Sequence, residues 1–374
     1  MAARGEDNAR TVRRQGRLLL GLLVVVGLVV MCGAPTAGAA QEPPLRLRTL
    51  KVNDPMSGGI EAFRMLVPVG WVRQGGVVWD LRYASVASVA MQIRNPRAPE
   101  ALETFQLIPQ IWQEPGIVGF PEGQIYLGMV VRRPLSAIGM VEGLVVPAFR
   151  GRLNPRVTAR VRLPRVAGAL AAGGQGGPVT TTYDAGRVRI AYTENGRAME
   201  EDFYAISYYS QASFLPGATT WGPQLLYSFK APRGQLDRRA RLLQAMVASV
   251  RPSLKWYAGY AQVVDMWING QMQAIRAAGA LSKAIAAAND SISAATSEAW
   301  ENQQRTYDRV YDQVSEQIRG VETYDNPFEG REVQLPSDYR YAWVSASGEY
   351  VLSDQAGFNP NVGSTTEWRQ LRPS

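Results

Sequence analysis

Arg187-Val188-Arg189-Ile190-Ala191-Tyr192, then Glu194-Asn195-Gly196, then Phe203 to Tyr209, is the stretch whose reading decides the fold. Two runs of period-two side chains flank an Asn-Gly pair, whose residues both tolerate positive φ, so the stretch predicts an antiparallel β-hairpin. Working outward, Phe63-Arg64-Met65-Leu66-Val67 alternates in the same way. It runs into a Pro68-Val69-Gly70-Trp71 turn, and Val77-Val78-Trp79 is a further apolar stretch. Leu236, Ala240, Leu243, Met246, Val247 and Val250 recur at helical spacing, which predicts a helix closing the segment. Residues 41–253 therefore read as one α+β domain, an antiparallel sheet with packed helices.

The pattern Phe63 to Trp71, followed much later by Leu242 to Pro252, resembles the opening strand and closing helix of PsbP-like domains. That resemblance implies an antiparallel sheet packed against helices, in an exported and mostly non-catalytic protein. It implies no site residue.

From Leu254 the period changes. Trp256, Tyr260, Val263, Trp267, Ala274, Ala278, Leu281, Ile285, Ala288 and Ile292 step by threes and fours with a gap near Gly270. Trp300, Gln303, Tyr307, Val310, Val314 and Val321 resume the stripe. Such spacing belongs to helices packed along their length, either as core or as an oligomer seam. Asn289-Asp290-Ser291 offers capping residues for a second helix, so residues 254–320 read as a helical hairpin. One long coiled-coil helix is the alternative, and its exposed stripe would need a second copy to cover it.

Residues 321–374 read as a small β module with four brief strands, Gly330 to Leu335, Tyr339 to Ser345, Glu349 to Ser353 and Glu367 to Leu371. Tyr339, Tyr341 and Trp343 then project from one face, as a small core or as an aromatic surface. The run Val333 to Trp368 is similar to the C-terminal ends of uncharacterised exported bacterial proteins with the same helical region before it. That resemblance implies no activity.

Charge divides unevenly along the chain. Residues 41–253 hold 25 basic and 15 acidic side chains, residues 254–320 six and seven, and residues 321–374 four and eight. Arg150, Arg152, Arg156, Arg160, Arg162 and Arg165 fall in a stretch with no acid between Gly143 and Tyr183. If Val157 to Leu163 is a strand, Arg156, Arg160 and Arg162 share a face with Thr158. Ala169 to Gly177 follows as a flexible loop. The run is either a charged strand edge that resists aggregation or a surface for an anionic partner, such as an envelope polymer, lipid headgroups or a protein. No nucleic-acid partner is expected, because no aromatics interleave the run for base stacking.

Missing residue types remove most hydrolytic chemistry. The chain has no histidine, and Cys32 is its single cysteine. No Ser-His-Asp triad, imidazole ligand or zinc-thiolate set can form, and no cofactor motif occurs. A carboxylate pair about 5–9 Å apart, as in glycoside hydrolases, is the remaining enzymatic option. Glu200, Glu201 and Asp202 are adjacent, and Glu322, Asp325, Glu329 and Glu332 cluster later. Asp354, Asn359 and Asn361 could offer oxygens to calcium, but their spacing matches no calcium loop. We expect no metal site.

Met1 to Arg17 carries five arginines, Leu18 to Met31 is an apolar run of 14 residues, and Ala37-Gly38-Ala39-Ala40 follows. This is the layout of a signal peptide over residues 1–40, with cleavage near Ala39 or Ala40. Two sharper variants compete: Val29-Val30-Met31-Cys32 as a lipidation box and Arg13-Arg14 as a twin-arginine signal. The sum is a non-catalytic binding or scaffolding protein of the cell envelope, periplasmic or extracellular. A carboxylate-based hydrolase of envelope glycans is the runner-up. Residues 1–45 fused to a reporter active only outside the cytoplasm should yield signal with a shortened product; a cytoplasmic, uncleaved reporter refutes export.

Overall fold

The computed structural model describes residues 43–114, 120–171, 179–213, 217–270, 292–318 and 321–373. Leu45–Asp54 (β1) and Ile60–Pro68 (β2) form a first hairpin. Val72–Trp79 (β3), Ala87–Arg94 (β4), Ala101–Thr104 (β5) and Gln110–Gln113 (β6) follow, then the two short strands Ile125–Tyr126 (β7) and Met129–Val131 (β8). Ala137–Met140 (α1) and Val146–Arg150 (α2) are joined through a π turn, Val141–Val145. Arg156–Arg162 (β9) leads into Pro164–Ala171 (α3). Val179–Glu194 (β10), Arg197–Ala212 (β11) and Ala218–Pro232 (β12) are the long central strands, and Leu236–Ala248 (α4) follows them. Arg251–Pro252 (β13), Leu254–Ile268 (α5) and Ala294–Ile318 (α6) come next. The chain closes with Val321–Asn326 (β14), Arg331–Pro336 (β15), Tyr341–Ser345 (β16), Glu349–Ser353 (β17) and Trp368–Gln370 (β18).

The hairpin expected around Asn195-Gly196 is β10 and β11. Asn195 (φ 51°) and Gly196 (φ 75°) both take the left-handed conformation between the paired residues Glu194 and Arg197. That is the geometry for which Asn-Gly costs least. Each strand runs 16 residues, longer than the alternation alone delimits. They lie in a ten-stranded sheet ordered β3-β4-β5-β12-β11-β10-β9, with β6 on β12 and β7 and β8 beyond it. A second sheet has six strands, ordered β13-β2-β1-β17-β16-β18, and β14 and β15 form a separate ribbon.

Side-chain alternation sorts the cores into layers. One face of the large sheet carries Val188, Ile190, Phe203 and Ala205, which pack with Met140, Val141 and Val146 of the α1–α2 stretch. The opposite face carries Tyr204, Ile206, Tyr227 and Phe229. These pack with Leu236, Leu243 and Met246 of α4 and with Phe63, Met65 and Val67 of β2. Leu66, one residue out of step with Met65, faces the other way, toward Leu352, Val344, Tyr324 and Leu335.

Two boundaries drawn from composition need correction. Residues 321–374 do not make a self-contained module, because β17 pairs with β1 (Leu45 opposite Leu352) and completes the same sheet as the first hairpin. The described residues from 43 onward fall in one compact unit. Nor is the helical region one uninterrupted helix from residue 254 to 320. α5 stops at Ile268, with Gly270 at φ 72°, a conformation that an L side chain adopts only under strain. The connection that would make a hairpin, and the stripe residues Ala274 to Ala288, lie outside the described residues. Of the described stripe, Val263 and Val310 are buried within this chain.

A single carboxylate docks α5. Asp54 is buried, and its Oδ2 accepts from the indole of Trp79 at 2.7 Å and that of Trp256 at 2.8 Å. Its Oδ1 caps Met56 N at 2.9 Å. The Trp256 ring stacks on Tyr260, with ring centroids 5.5 Å apart. Asp54→Ala would take the carboxylate acceptor from two half-buried indoles, at about 1–3 kcal/mol per buried donor. We expect a lower urea midpoint and shifted tryptophan emission; an unchanged midpoint refutes this account of the docking.

Candidate functional site

The arginine run does not act as one surface. Arg150, at the end of α2, turns inward. Its Nε lies 2.8 Å from Glu201 Oε2, and its Nη2 lies 2.8 Å from Glu201 Oε1 and 2.6 Å from Glu103. Glu201, fully buried on β11, also accepts from Tyr192 Oη at 2.8 Å and Ser228 Oγ at 2.5 Å. The guanidinium sits over the Phe105 ring, 5.6 Å from its centroid. Burial works against the Arg150 charge, but the hydrogen bonds and charges of Glu201 and Glu103 outweigh it and raise its pKa above the usual arginine value. The same burial, with the Glu201 charge and hydrogen bond, pushes the Tyr192 hydroxyl above its ordinary range. Arg150 is therefore withdrawn from the candidate anion-binding set.

The other five arginines are exposed. Arg152 precedes β9, Arg156, Arg160 and Arg162 lie on it, and Arg165 stands in the first turn of α3. β9 is the outermost strand of the ten-stranded sheet. The face sharing expected for Arg156, Arg160 and Arg162 is corrected by a β-bulge. Val157 pairs with Ile190 and Ala159 with Arg189, so Thr158 is the extra residue and the alternation shifts by one. Arg160 and Arg162 thus share a face with Val157, whereas Arg156 lies on the other face with Ala159 and Val161. Nor is the run without a compensating acid. Glu142, one residue before the acid-free stretch, meets Arg160 at 2.5 Å. Among the described residues, Arg152, Arg156, Arg162 and Arg165 meet no carboxylate.

The acidic clusters are spent on structure. Glu201 and Asp202 are neighbours on a strand and point to opposite faces of the sheet, both buried. Asp202 takes Arg189 Nε at 2.8 Å and Nη2 at 2.7 Å, and Arg189 reaches on to Asp237 of α4. Its hydrogen bond holds the Asp237 carboxyl below the usual range against the effect of burial. Glu200 accepts from Gly234 N at 3.1 Å. In the closing ribbon Glu322 accepts from Tyr324 Oη, Glu329 pairs with Arg331, and Asp325 and Glu332 face each other across β14 and β15. The Glu201 and Asp202 carboxylates cannot converge on one substrate, because the sheet lies between them.

The remaining candidates are placed as follows. Tyr339 packs against the core under the β14–β15 ribbon, with Ala342 and Val344. Tyr341 and Trp343 alternate with those two residues and so lie on the other side of β16, half-buried. The three aromatics therefore form no common surface. Asp354 accepts from Arg340 N, Asn359 from Asn361 N, and Asn361 brackets the Trp368 backbone with both side-chain atoms. These three side chains serve as turn fasteners. No group of three or more potential metal ligands occurs among the described residues.

Fold and surface together define a mixed α/β protein with large antiparallel sheets and a few helices, presenting an arginine-bearing sheet edge. No family model matches the chain, and no curated protein matches it. A solved structure that does is the solution structure of cyanobacterial PsbP (CyanoP) from Synechocystis sp. PCC 6803. It is 9% identical, and the match covers 60% of this chain and 99% of that one with a TM-score of 0.21, a weak PsbP-like resemblance. No helix among the described residues is long and apolar enough to cross a membrane.

The Arg150–Glu201 pair yields its own test. Glu201→Gln would strand a buried guanidinium with only Glu103, at about 3–5 kcal/mol. Adding Arg150→Met removes the undercompensated charge, while the amide oxygen still accepts from one of the Tyr192 and Ser228 hydroxyls and its NH2 group donates to the other. The double variant should regain part of the lost urea midpoint; a double variant no more stable than the single one refutes the charge-pairing account.

Proposed function

We propose that this chain is a non-catalytic, exported cell-envelope protein that binds or scaffolds an anionic partner at the β9 edge. The observation that supports this reading is the set of exposed arginines, Arg152, Arg156, Arg162 and Arg165, that meet no carboxylate among the described residues. Arg160 and Arg162, two positions apart on one strand face, stand about 7 Å from each other. That is within the roughly 8 Å over which physiological salt screens charge; Glu142 already meets Arg160, which leaves Arg162 as the open cation on that face. Binding there releases condensed counter-ions and weakens with salt.

Arg156, Arg160 and Arg162 replaced together by glutamine should lose retention on an anionic matrix and on envelope material, with a flatter salt dependence. Stability should hardly move. The one ion pair removed, Arg160 to Glu142, is a surface pair worth about 0–1 kcal/mol, so melting should shift by no more than about 2–3 °C. Unchanged retention overturns the proposal, and so does unfolding of the variant, which would make the run structural.

A further inference from the structure

Charge alone does not account for β9. It is a seven-residue strand, flanked by Pro155 and Pro164 but free of proline within, and among the described residues it pairs only with β10. Among the described residues no other backbone hydrogen bond reaches it. Every second residue of an outermost strand turns its N–H and C=O away from the sheet, so β9 presents a row of open backbone donors and acceptors about 20 Å long. The bulge at Thr158 places cations on both faces of that row, Arg160 and Arg162 on one and Arg156 on the other. Arg152 precedes the strand and Arg165 follows it in the chain, both exposed. Val161, 36% exposed, adds an apolar side chain on the same face as Arg156.

An anionic polymer without N–H groups could answer the guanidinium groups and accept from open N–H groups, but it has no donor for the open carbonyls. An extended polypeptide answers all three, because its backbone continues the ladder while its carboxylates meet arginines across the strand gap, on either face. We infer that β9 is an acceptor edge for an extended acidic polypeptide segment, which adds to the ten-stranded sheet as its next strand. The inference rests on the anion-binding reading above and narrows its partner to one chemical class.

The test uses three probes on the purified full-length protein. They are a short synthetic peptide of mixed glutamate and valine, the same peptide methylated on alternate backbone nitrogens, and polyphosphate. Affinity is read by anisotropy competition, and amide hydrogen exchange is followed over Arg156 to Arg162. The unmodified peptide should bind at least about tenfold more tightly than its methylated form, the equivalent of about 1.4 kcal/mol for the backbone bonds lost. It should also slow exchange at alternate β9 amides more than polyphosphate does. Equal binding of all three without protection of β9 overturns the strand addition and leaves the electrostatic reading standing. Failure of all three to bind overturns both. Protection that survives in the Arg156→Gln, Arg160→Gln, Arg162→Gln variant, with reduced affinity, separates the backbone contribution from the charge and supports the inference.

Discussion

Two adjacent carboxylates register the two coverings of the large sheet. Glu201 and Asp202 are successive residues of β11, and successive strand residues cannot face the same way. Both are buried, so each needs a cation on its own side. Arg150 supplies it on one face and thereby seats α2 over Phe105 and Phe203. Arg189 supplies it on the other and reaches on to Asp237 of α4. Removing either partner would leave a charge in a low-dielectric interior, which costs far more than an exposed pair gains.

This pairing also determines which arginines remain at the surface. Six cations in one stretch look equivalent, but the first is drawn into the interior by acids 47 and 51 residues away in the chain. A further one meets Glu142, and the bulge at Thr158 divides those on β9 between the two faces. What is left is an edge that bears charge on both faces around an open backbone row. That combination suits an extended ligand better than a globular one, because each feature repeats along the strand.

The sheets explain why compositional boundaries fail as domain boundaries. The acidic, aromatic end of the chain differs from the basic start, yet β17 pairs with β1 and the β14–β15 ribbon covers the outer face of the sheet they share. Arg241 of α4 and Asp338 add an ion pair between the same two parts of the chain. Composition reports what each segment shows to solvent, whereas a domain is defined by which faces are buried against each other.

Local physics was legible in the sequence wherever a neighbour in the chain supplied it. The Asn-Gly turn, the helical spacing of Leu236 to Val247, and the strands around Trp343 and Tyr350 all appear where short-range pattern placed them, within a few residues. β12 was not legible. Gly222-Pro223 interrupts its pattern, and that pair sits at a register shift opposite Ile206 and Ser207, in the gap between the stretches of β12 that pair with β6 and β5. The arginine run was legible as charge but not as a surface. Its division between core and edge depends on Glu103, Glu142 and Glu201, two of them far away in the chain, and its facing depends on a single bulged residue. The sequence by itself determined the β10–β11 hairpin, the α4 helix, the closing strands and the excess of cations, because turn chemistry and side-chain period act over a few residues. Only the tertiary structure decided which cations stay exposed, because the penalty for burying a charge exists only once distant strands have met.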